Sequence, residues 1–240
     1  MAPTLHLIPV SLGESPLTYW LPAQVQQIAR ELTVYIAENA KTARAFLGQI
    51  KTARPIQEIT IYTLSKKGDS AAQIREWLQH PEAQHGAGLV SEAGCPAVAD
   101  PGAAVVATAH QLGWRVLPHV GPSSLLLALM ASGLNGQKFC FQGYLPIRPN
   151  ERRQALQQLE RYSAQHQSTQ LFIETPYRNQ ELFQSLCQQL QPHTQLCVAR
   201  ALTTDDEWIN TQSVAQWRKA PPPKLHKYPV LFLFLAQSAT

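Results

Sequence analysis

The sequence has few cysteines and few charged side chains. Charged residues make up only 15% of the 240 positions, and the four cysteines are Cys95, Cys140, Cys187 and Cys197. They form no Cys-x-x-Cys pair, and no histidine stands near them at the spacing of metal ligands. This pattern argues against a zinc site and against a disulfide framework. We therefore expect a protein of the reducing cytoplasm that binds no metal.

Long hydrophobic runs are also missing. The longest apolar run, residues 230–236, is far shorter than the roughly 20 residues of a membrane-spanning helix. No basic region followed by an apolar stretch opens the chain, as it would in a signal peptide. Hydrophobic residues nevertheless make up 45% of the chain, too many for a disordered protein. We expect a soluble globular protein with no membrane association, neither exported nor anchored, of one or two domains.

Short apolar segments alternate with amphipathic ones along the whole chain. We predict strands over residues 4–10, 34–37, 59–64, 88–91, 114–117, 139–141, 170–173, 195–199 and 229–236. We predict helices over residues 22–29, 41–50, 70–79, 103–112, 125–131, 151–162 and 179–190. This alternation is typical of crossover units and a mainly parallel sheet. The turn-rich segment 118–124 is the preferred junction, which predicts two α/β domains, residues 1–118 and 119–240.

The net charge of +4 is unevenly distributed. Residues 1–120 hold nine basic and nine acidic side chains, whereas residues 121–240 hold eleven and seven. One region of the second half is rich in arginine: Arg148, Arg152, Arg153, Arg161 and Arg178. If these side chains share a face, they would attract a polyanion such as RNA. The alternative is an ordinary solvated basic helix surface.

Small residues, glycine and proline fill the segment 90–102, between a predicted strand and a predicted helix. Such a loop lets backbone amides and a helix N-terminus approach a carboxylate, a phosphate or a nucleoside. A tight turn that needs these residues only for its shape is the alternative. Gly-x-Gly-x-x-Gly and phosphate-loop motifs are both absent from the chain.

Asp100 and Cys95 in this segment, and His119 in the turn-rich segment 118–124, have simpler interpretations. Asp100, just before the predicted helix, is expected to cap its N-terminus. Cys95 has no basic neighbour in the sequence that would activate it as a nucleophile. His119 is expected to be structural, with acid–base chemistry as the alternative.

Seven segments, taken in order, resemble the motifs of the tetrapyrrole (corrin/porphyrin) methylase superfamily. They are residues 89–102, Gly121-Pro122-Ser123-Ser124, Ala131-Ser132-Gly133-Leu134, residues 141–146, Glu151-Arg152-Arg153, residues 174–178 and residues 199–203. Within the superfamily, the chain most resembles the ribosomal RNA small subunit methyltransferase I branch, which methylates a ribose 2′-hydroxyl. The resemblance is dense from residue 89 to residue 203 and weak before residue 89.

The resemblance implies two α/β domains that hold S-adenosylmethionine in the cleft between them, usually in a homodimer, and release S-adenosylhomocysteine. By position it assigns cofactor contacts to Ala93, Gly94, Cys95, Pro96, Val98, Ala99, Ser123, Ser124, Glu174, Ala201, Leu202 and Thr203. Amides and hydroxyls there suit the polar groups of the cofactor, and Val98 and Leu202 offer apolar surface for a ring.

The implied reaction is an in-line displacement at the sulfonium methyl group. Holding the nucleophile and the methyl group in near-attack geometry would supply most of the catalysis. A hydroxyl acceptor also needs a base, and the catalytic candidates by analogy are Glu38, Lys41 and Glu174. RNA or a ribosomal subunit would be the partner, contacted by Arg148, Arg152, Arg153 and Arg178.

Three N-terminal segments depart from the pattern of this branch. Its usual Glu-Asp-Thr-Arg is here Glu38-Asn39-Ala40-Lys41, and its Thr-Pro-Ile-Gly-Asn-Leu is here residues 8–13. Its histidine-containing stretch is replaced by residues 62–67. Three hypotheses follow: a methyltransferase for RNA, a methyltransferase for a small molecule such as a tetrapyrrole, or a cofactor-binding protein without catalysis.

Overall fold

The structure, a computed structural model, describes residues 2–65 and 68–237. The chain divides into two compact units, Met1–Ser123 (unit 1) and Ser124–Thr240 (unit 2). The predicted domain boundary after residue 118 lies five residues before this division. Among the described residues, no helix combines the length and the apolar character needed to cross a membrane.

Unit 1 alternates strands and helices, as the sequence predicts. Its strands are β1 (Thr4–Leu7), β2 (Val34–Ala37), β3 (Thr60–Thr63), β4 (Ala87–Val90) and β5 (Arg115–Pro118). Its helices are α1 (Leu17–Trp20), α2 (Ala23–Glu31), α3 (Ala40–Ile50), α4 (Ala71–Gln79) and α5 (Ala103–Gln111), with 3₁₀ turns at Ile56–Glu58 and Pro81–His85. Only the four-residue α1 and the 3₁₀ turns have no predicted counterpart.

The five strands of unit 1 form one sheet in the order β3-β2-β4-β1-β5, and every neighbouring pair is parallel. Every residue of β2 and β4 is buried, because helices cover both faces of the sheet. One face packs on α2 and α3 through residues such as Ile8 and Phe46, and the other on α4 and α5 through Leu5 and Leu78. The predicted parallel α/β sheet is confirmed for this unit.

Side-chain caps fix two helix starts in unit 1. Asn39 precedes α3 and accepts the amide of Lys41 at 2.9 Å. Ser70 precedes α4 and accepts the amide of Gln73 at 3.1 Å, which confirms the predicted start of that helix. Helix α3 follows β2 and helix α4 follows β3, so each capped helix begins after the carboxyl end of a strand.

Unit 2 has a mixed sheet. Its strands are β6 (Phe139–Tyr144), β7 (Thr169–Ile173), β8 (Gln195–Arg200), β9 (Trp208–Ser213) and β10 (Val230–Leu235), in the order β6-β7-β10-β8-β9. Its helices are α6 (Ser124–Ser132), α7 (Pro149–His166), α8 (Asn179–Gln189) and α9 (Val214–Trp217). Only β6 and β7 are parallel; β10 runs antiparallel to both of its neighbours, and so does β8. The expectation of a mainly parallel sheet is therefore wrong for this unit.

The core of unit 2 lies between its sheet and α7, α8 and α9. Phe172 on β7 and Phe232 on β10 stack with ring centroids 5.9 Å apart, and both are fully buried. Leu156 and Leu186 bring α7 and α8 onto the same cluster. This packing fixes the loops at the ends of β6 and β7, where several of the predicted site residues lie.

Candidate functional site

Three loops meet in unit 1, those that follow β1, β4 and β5. The amide of Val10 donates to the carbonyl of Gly94 at 2.9 Å, and the amide of Gly94 donates back at 3.1 Å. The thiol of Cys95 lies 3.4 Å from the carbonyl oxygen of Pro122. A Cβ added at Gly94 would lie 3.2 Å from the Leu12 side chain. Ligands of parallel α/β sheets bind outside the carboxyl ends of the strands, and this is such a place.

The loop after β4 has an unusual backbone. Gly94, Ala97, Ala99 and Gly102 all have positive φ, at 71°, 66°, 62° and 138°. Alanine in the left-handed region costs about 1 kcal/mol or more, so the surrounding contacts must hold it there. Left-handed residues re-aim successive amides and commonly build concave backbone sites for anions. The predicted cofactor loop is therefore a constrained structure and not a simple turn.

Glu38 and Asp100 bring carboxyl groups to this loop. A Glu38 oxygen accepts the backbone amide of Glu92 at 3.4 Å. The pKa of Asp100 is raised from 3.8 to about 6, mainly by burial and also by the charges of Glu38 and Glu92, while a hydrogen bond with Ser91 opposes the shift. The prediction that Asp100 caps α5 is wrong, because Gly102 occupies the N-cap position and α5 has no side-chain cap.

Lys41 lies close to Glu38 in the chain, in the first turn of α3. Its side chain is exposed, whereas the Glu38 side chain is half-buried. Of the two candidates in unit 1, Glu38 is the one that contacts the loop after β4.

Cys95 and His119 are both half-buried. Burial raises the pKa of the Cys95 thiol, which disfavours the reactive thiolate. His119 pairs with His6 on β1, with Nε2 of His119 3.0 Å from Nδ1 of His6. Burial, the other imidazole and Arg115 lower the pKa of His6 to about 4, and burial lowers the pKa of His119.

In unit 2, Glu174 is held in an ion pair. Its side chain is 1% exposed, and one oxygen accepts from the guanidinium of Arg178 and from the amide of Thr175, both at 2.6 Å. The hydrogen bond to Glu174 raises the pKa of Arg178, and the charges of Glu174, Glu181 and Tyr144 contribute, while burial opposes the shift. These two hydrogen bonds join the carboxylate to its own loop.

The segment after β8 repeats the backbone feature of the first loop. Ala201 and Thr203 have φ of 50° and 66°, and Ala201 and Leu202 are buried. The Thr203 hydroxyl is buried and has no partner among the described residues. Ser123 ends unit 1, and Ser124 begins α6. An orphaned hydroxyl beside strained backbone is a feature that a bound ligand would satisfy.

The predicted arginines do not share one exposed face. The Arg148 side chain is 81% exposed and pairs with Glu151 at 3.1 Å, and Arg153 is exposed. Arg152 is 4% exposed and pairs with Glu181 on α8 at 2.6 Å, with Nε and Nη1 buried and without a partner among the described residues. The expectation that Arg152 belongs to a common basic surface is therefore wrong; it joins α7 to α8.

Elsewhere in unit 2, a cavity of about 490 Å³ lies beside the second half of α7. Its lining includes Glu160, Arg161 and His193, and none of the predicted cofactor or catalytic residues. Over residues 2–65 and 68–237, no group of three or more histidine, cysteine or acidic side chains could hold a metal ion.

Comparison with known proteins places the chain in a family, although no family model matches it. Ribosomal RNA small subunit methyltransferase I of Xylella fastidiosa is 32% identical over 200 residues, which cover 83% of this chain and 68% of that protein. The protein of the same name from Pasteurella multocida is 32% identical over 209 residues, covering 86% and 71%. The chain belongs to this family. The relative from Bacillus subtilis is 28% identical over 200 residues, covering 83% and 63%.

Solved structures support the fold expected for the superfamily. The methyltransferase CobJ matches with a TM-score of 0.61 at 18% identity, over 99% of this chain and 94% of its own. Uroporphyrin-III-C-methyltransferase from Thermus thermophilus matches with a TM-score of 0.55 at 15% identity, over 98% and 93%. The expected α/β fold of the tetrapyrrole methylases is thereby confirmed.

The departures from the family pattern lie in unit 1. Asn39 stands where the pattern has aspartate, and it caps α3. In the third divergent stretch, Tyr62 stacks on Trp77 with centroids 5.1 Å apart, so this part packs against α4. Lys66 and Lys67 of the same stretch lie outside the described residues.

Proposed function

We propose that the protein is an S-adenosylmethionine-dependent methyltransferase that acts on the RNA of the small ribosomal subunit, at a ribose 2′-hydroxyl. Membership of the ribosomal RNA small subunit methyltransferase I family carries this proposal, at 32% identity over 83% of the chain. The constrained loop after β4 supports it, because two of the predicted cofactor residues, Gly94 and Ala99, have positive φ there.

The residues present fit the cofactor. In unit 1, Gly94 leaves room where a side chain would meet Leu12, and Val98 is 47% exposed and offers an apolar contact. In unit 2, the Thr203 hydroxyl is buried and lacks a partner among the described residues, so it is available to a ligand. We assign cofactor contacts to Ala93, Gly94, Cys95, Pro96, Val98, Ala99, Ser123, Ser124, Ala201, Leu202 and Thr203.

When bound, the cofactor supplies an activated methyl group on a sulfonium centre. The protein's task is to hold the acceptor hydroxyl in line with that group and to remove its proton. We propose that the carboxylate of Glu38, which contacts the loop after β4, accepts this proton. We propose that Lys41, which is exposed in the first turn of α3, contacts a phosphate of the substrate.

Glu174 takes a different part in this proposal from that of a base. Its hydrogen bonds to Arg178 and to the Thr175 amide fix the loop after β7. We therefore propose that Glu174 positions this loop for cofactor and RNA binding, and that exposed Arg148 and Arg153 contact phosphates. Arg178, whose side chain is 35% exposed, contributes its remaining surface to the same RNA contact.

Calorimetric titration with S-adenosylmethionine and S-adenosylhomocysteine tests the cofactor assignment. Wild-type protein should bind both ligands at micromolar concentration, and Gly94→Trp should abolish binding because the indole fills the space beside Leu12. Gly113→Trp is the matched control, since Gly113 has nearly the same φ, 72° against 71°, and has open space around its Cβ position. Equal binding by the two variants, or no binding by the wild type, would contradict the assignment.

We also propose that the protein forms a homodimer through unit 2. Leu126 and Met130 on α6 are 53% and 79% exposed, and Phe139 on the edge strand β6 is 45% exposed. Exposed apolar side chains and unpaired strand edges are each typical of association surfaces. Light scattering of the wild type should give twice the 26.7 kDa chain mass, and Met130→Glu should reduce it. If light scattering of the wild type gives the mass of a single chain, the proposed homodimer is wrong.

A further inference from the structure

Aromatic rings are unusually exposed near the ends of β6 and β7 in unit 2. Tyr144, the last residue of β6, is 59% exposed, and Tyr177, just beyond β7, is 72% exposed. Tyr177 meets His226 edge-on, with ring centroids 5.9 Å apart. Tyr144 pairs in register with Ile173, the last residue of β7, which directly precedes the loop that carries Tyr177. These contacts place three rings around the same loop.

Two exposed lysines flank His226 on a segment that is firmly attached to this loop. The amide of Lys227 donates to the carbonyl of Pro176 at 3.0 Å, and the Asn179 side chain donates to the Tyr228 carbonyl at 2.8 Å. Leu225 is fully buried, whereas Lys224 before it and Lys227 after it are exposed. The rings and the lysines are therefore parts of one fixed surface.

This surface carries the positive charge of two exposed lysines. Neither Lys224 nor Lys227 has a salt bridge within residues 2–65 and 68–237. Exposed rings interleaved with cations are the combination that binds single-stranded nucleic acid, since bases stack on the rings and phosphates meet the cations. A duplex hides the faces of its bases, so stacking of this kind selects unpaired strands.

We propose that the surface formed by Tyr144, Tyr177, His226, Lys224 and Lys227 binds unpaired RNA, with bases stacked on the rings and phosphates held by the lysines. The inference rests on the proposed function and adds to it the form of RNA that is recognised. None of these five residues is among the assigned cofactor contacts or the predicted arginines.

Fluorescence anisotropy with a labelled single-stranded RNA of about 12 nucleotides tests the rings. Tyr144→Ala and Tyr177→Ala should each weaken binding about ten-fold, whereas Tyr144→Phe and Tyr177→Phe should bind like the wild type. Tyr162→Ala is the control, because Tyr162 is also exposed (48%) and also contacts a histidine, His166, at the far end of α7. Both ring substitutions leave the buried core untouched, which a thermal unfolding scan checks.

Two further measurements separate stacking from charge. The wild type should bind an abasic strand of the same length about ten-fold more weakly than the complete strand, and Tyr177→Ala should lose most of that preference. Replacing both lysines by glutamine should reduce the salt dependence of binding by the amount expected for the loss of about one to two phosphate contacts. The tyrosine variants should keep the wild-type salt dependence.

Several results would overturn the inference: no binding of the single strand by the wild type, alanine variants that bind as tightly as the wild type, or equal binding of the abasic strand. The proposed function is judged separately, by calorimetric binding of S-adenosylmethionine and by methyl transfer. If the protein transfers methyl groups to ribosomal RNA but the alanine variants bind RNA as tightly as the wild type, the proposed function stands and the proposed RNA-binding surface is wrong.

Discussion

A single residue, Asp100, makes the charge of the loop after β4 sensitive to pH. The pKa of Asp100 is about 6 in the folded protein against an ordinary value of 3.8, mainly because the carboxyl is buried. The folded state therefore favours the protonated form. Its stabilising contribution is complete below about pH 4 and is lost as the pH rises through about 6.

Replacement of Asp100 by asparagine removes this penalty. At about pH 8, Asp100→Asn should raise the free energy of unfolding by about 1–2 kcal/mol, after allowance for partial exposure. Below about pH 4 the variant and the wild type should agree within about 0.5 kcal/mol. Denaturant titrations at both pH values measure the difference, with Asp205→Asn in an exposed loop as the control. An equal gain at both pH values would show that titration of Asp100 is not its source.

At the residue scale, sequence motifs located the candidates better than they described their surroundings. The motif that contains Glu174 and Arg178 was recognisable, but their ion pair depends on how the loop after β7 folds. Arg152 and Arg153 are neighbours in the sequence, yet only Arg152 faces α8 and is buried. Burial and pairing are set by tertiary packing, which a motif does not encode.

At the scale of elements, a single buried guanidinium links α7 to α8. Arg152 has one partner, Glu181, and two further nitrogen atoms without partners among the described residues. Loss of the partner leaves a buried charge, which is more damaging than loss of the whole pair. The two helices therefore depend on Glu181 more than on the arginine itself.

Two substitutions test this asymmetry. Glu181→Gln should lower the free energy of unfolding by about 1–3 kcal/mol, since a Glu181 side chain that is 57% exposed contributes less than a fully buried one. Arg152→Met should cost less, because it also removes the unpartnered nitrogen atoms. Chemical denaturation of both variants gives the comparison. A larger loss for Arg152→Met would mean that the guanidinium stabilises α7 in some other way.

The strands of the two units differ in how readily the sequence predicts them. In unit 1, continuous apolar strands separated by capped helices predict a parallel sheet, and β2 and β4 are buried as that requires. In unit 2, the same alternation does not reveal that β10 lies between β7 and β8 and reverses direction. Every residue of the edge strand β9 is half-exposed, and its polar sequence gives no strand signal.

For the whole molecule, family membership and the structure support the same function through different residues. The family match covers 83% of the chain. The structure adds that the loop after β4 is constrained and that Glu38 reaches it. Asn39 and Lys41 in place of the usual residues leave α3 capped and a cation in its first turn. We therefore expect an active enzyme and not a cofactor-binding relic.

Transfer of a radiolabelled methyl group from S-adenosylmethionine to the RNA of small ribosomal subunits is the decisive measurement of this activity. Wild-type protein should label the RNA, and alkaline hydrolysis should leave the label in a dinucleotide, because a 2′-O-methyl group protects the neighbouring phosphodiester bond. Glu38→Gln should reduce the rate by about 10²–10⁴-fold, as expected for loss of a base, while keeping wild-type cofactor binding. Absence of label, or label found only in mononucleotides, would contradict ribose methylation by this protein.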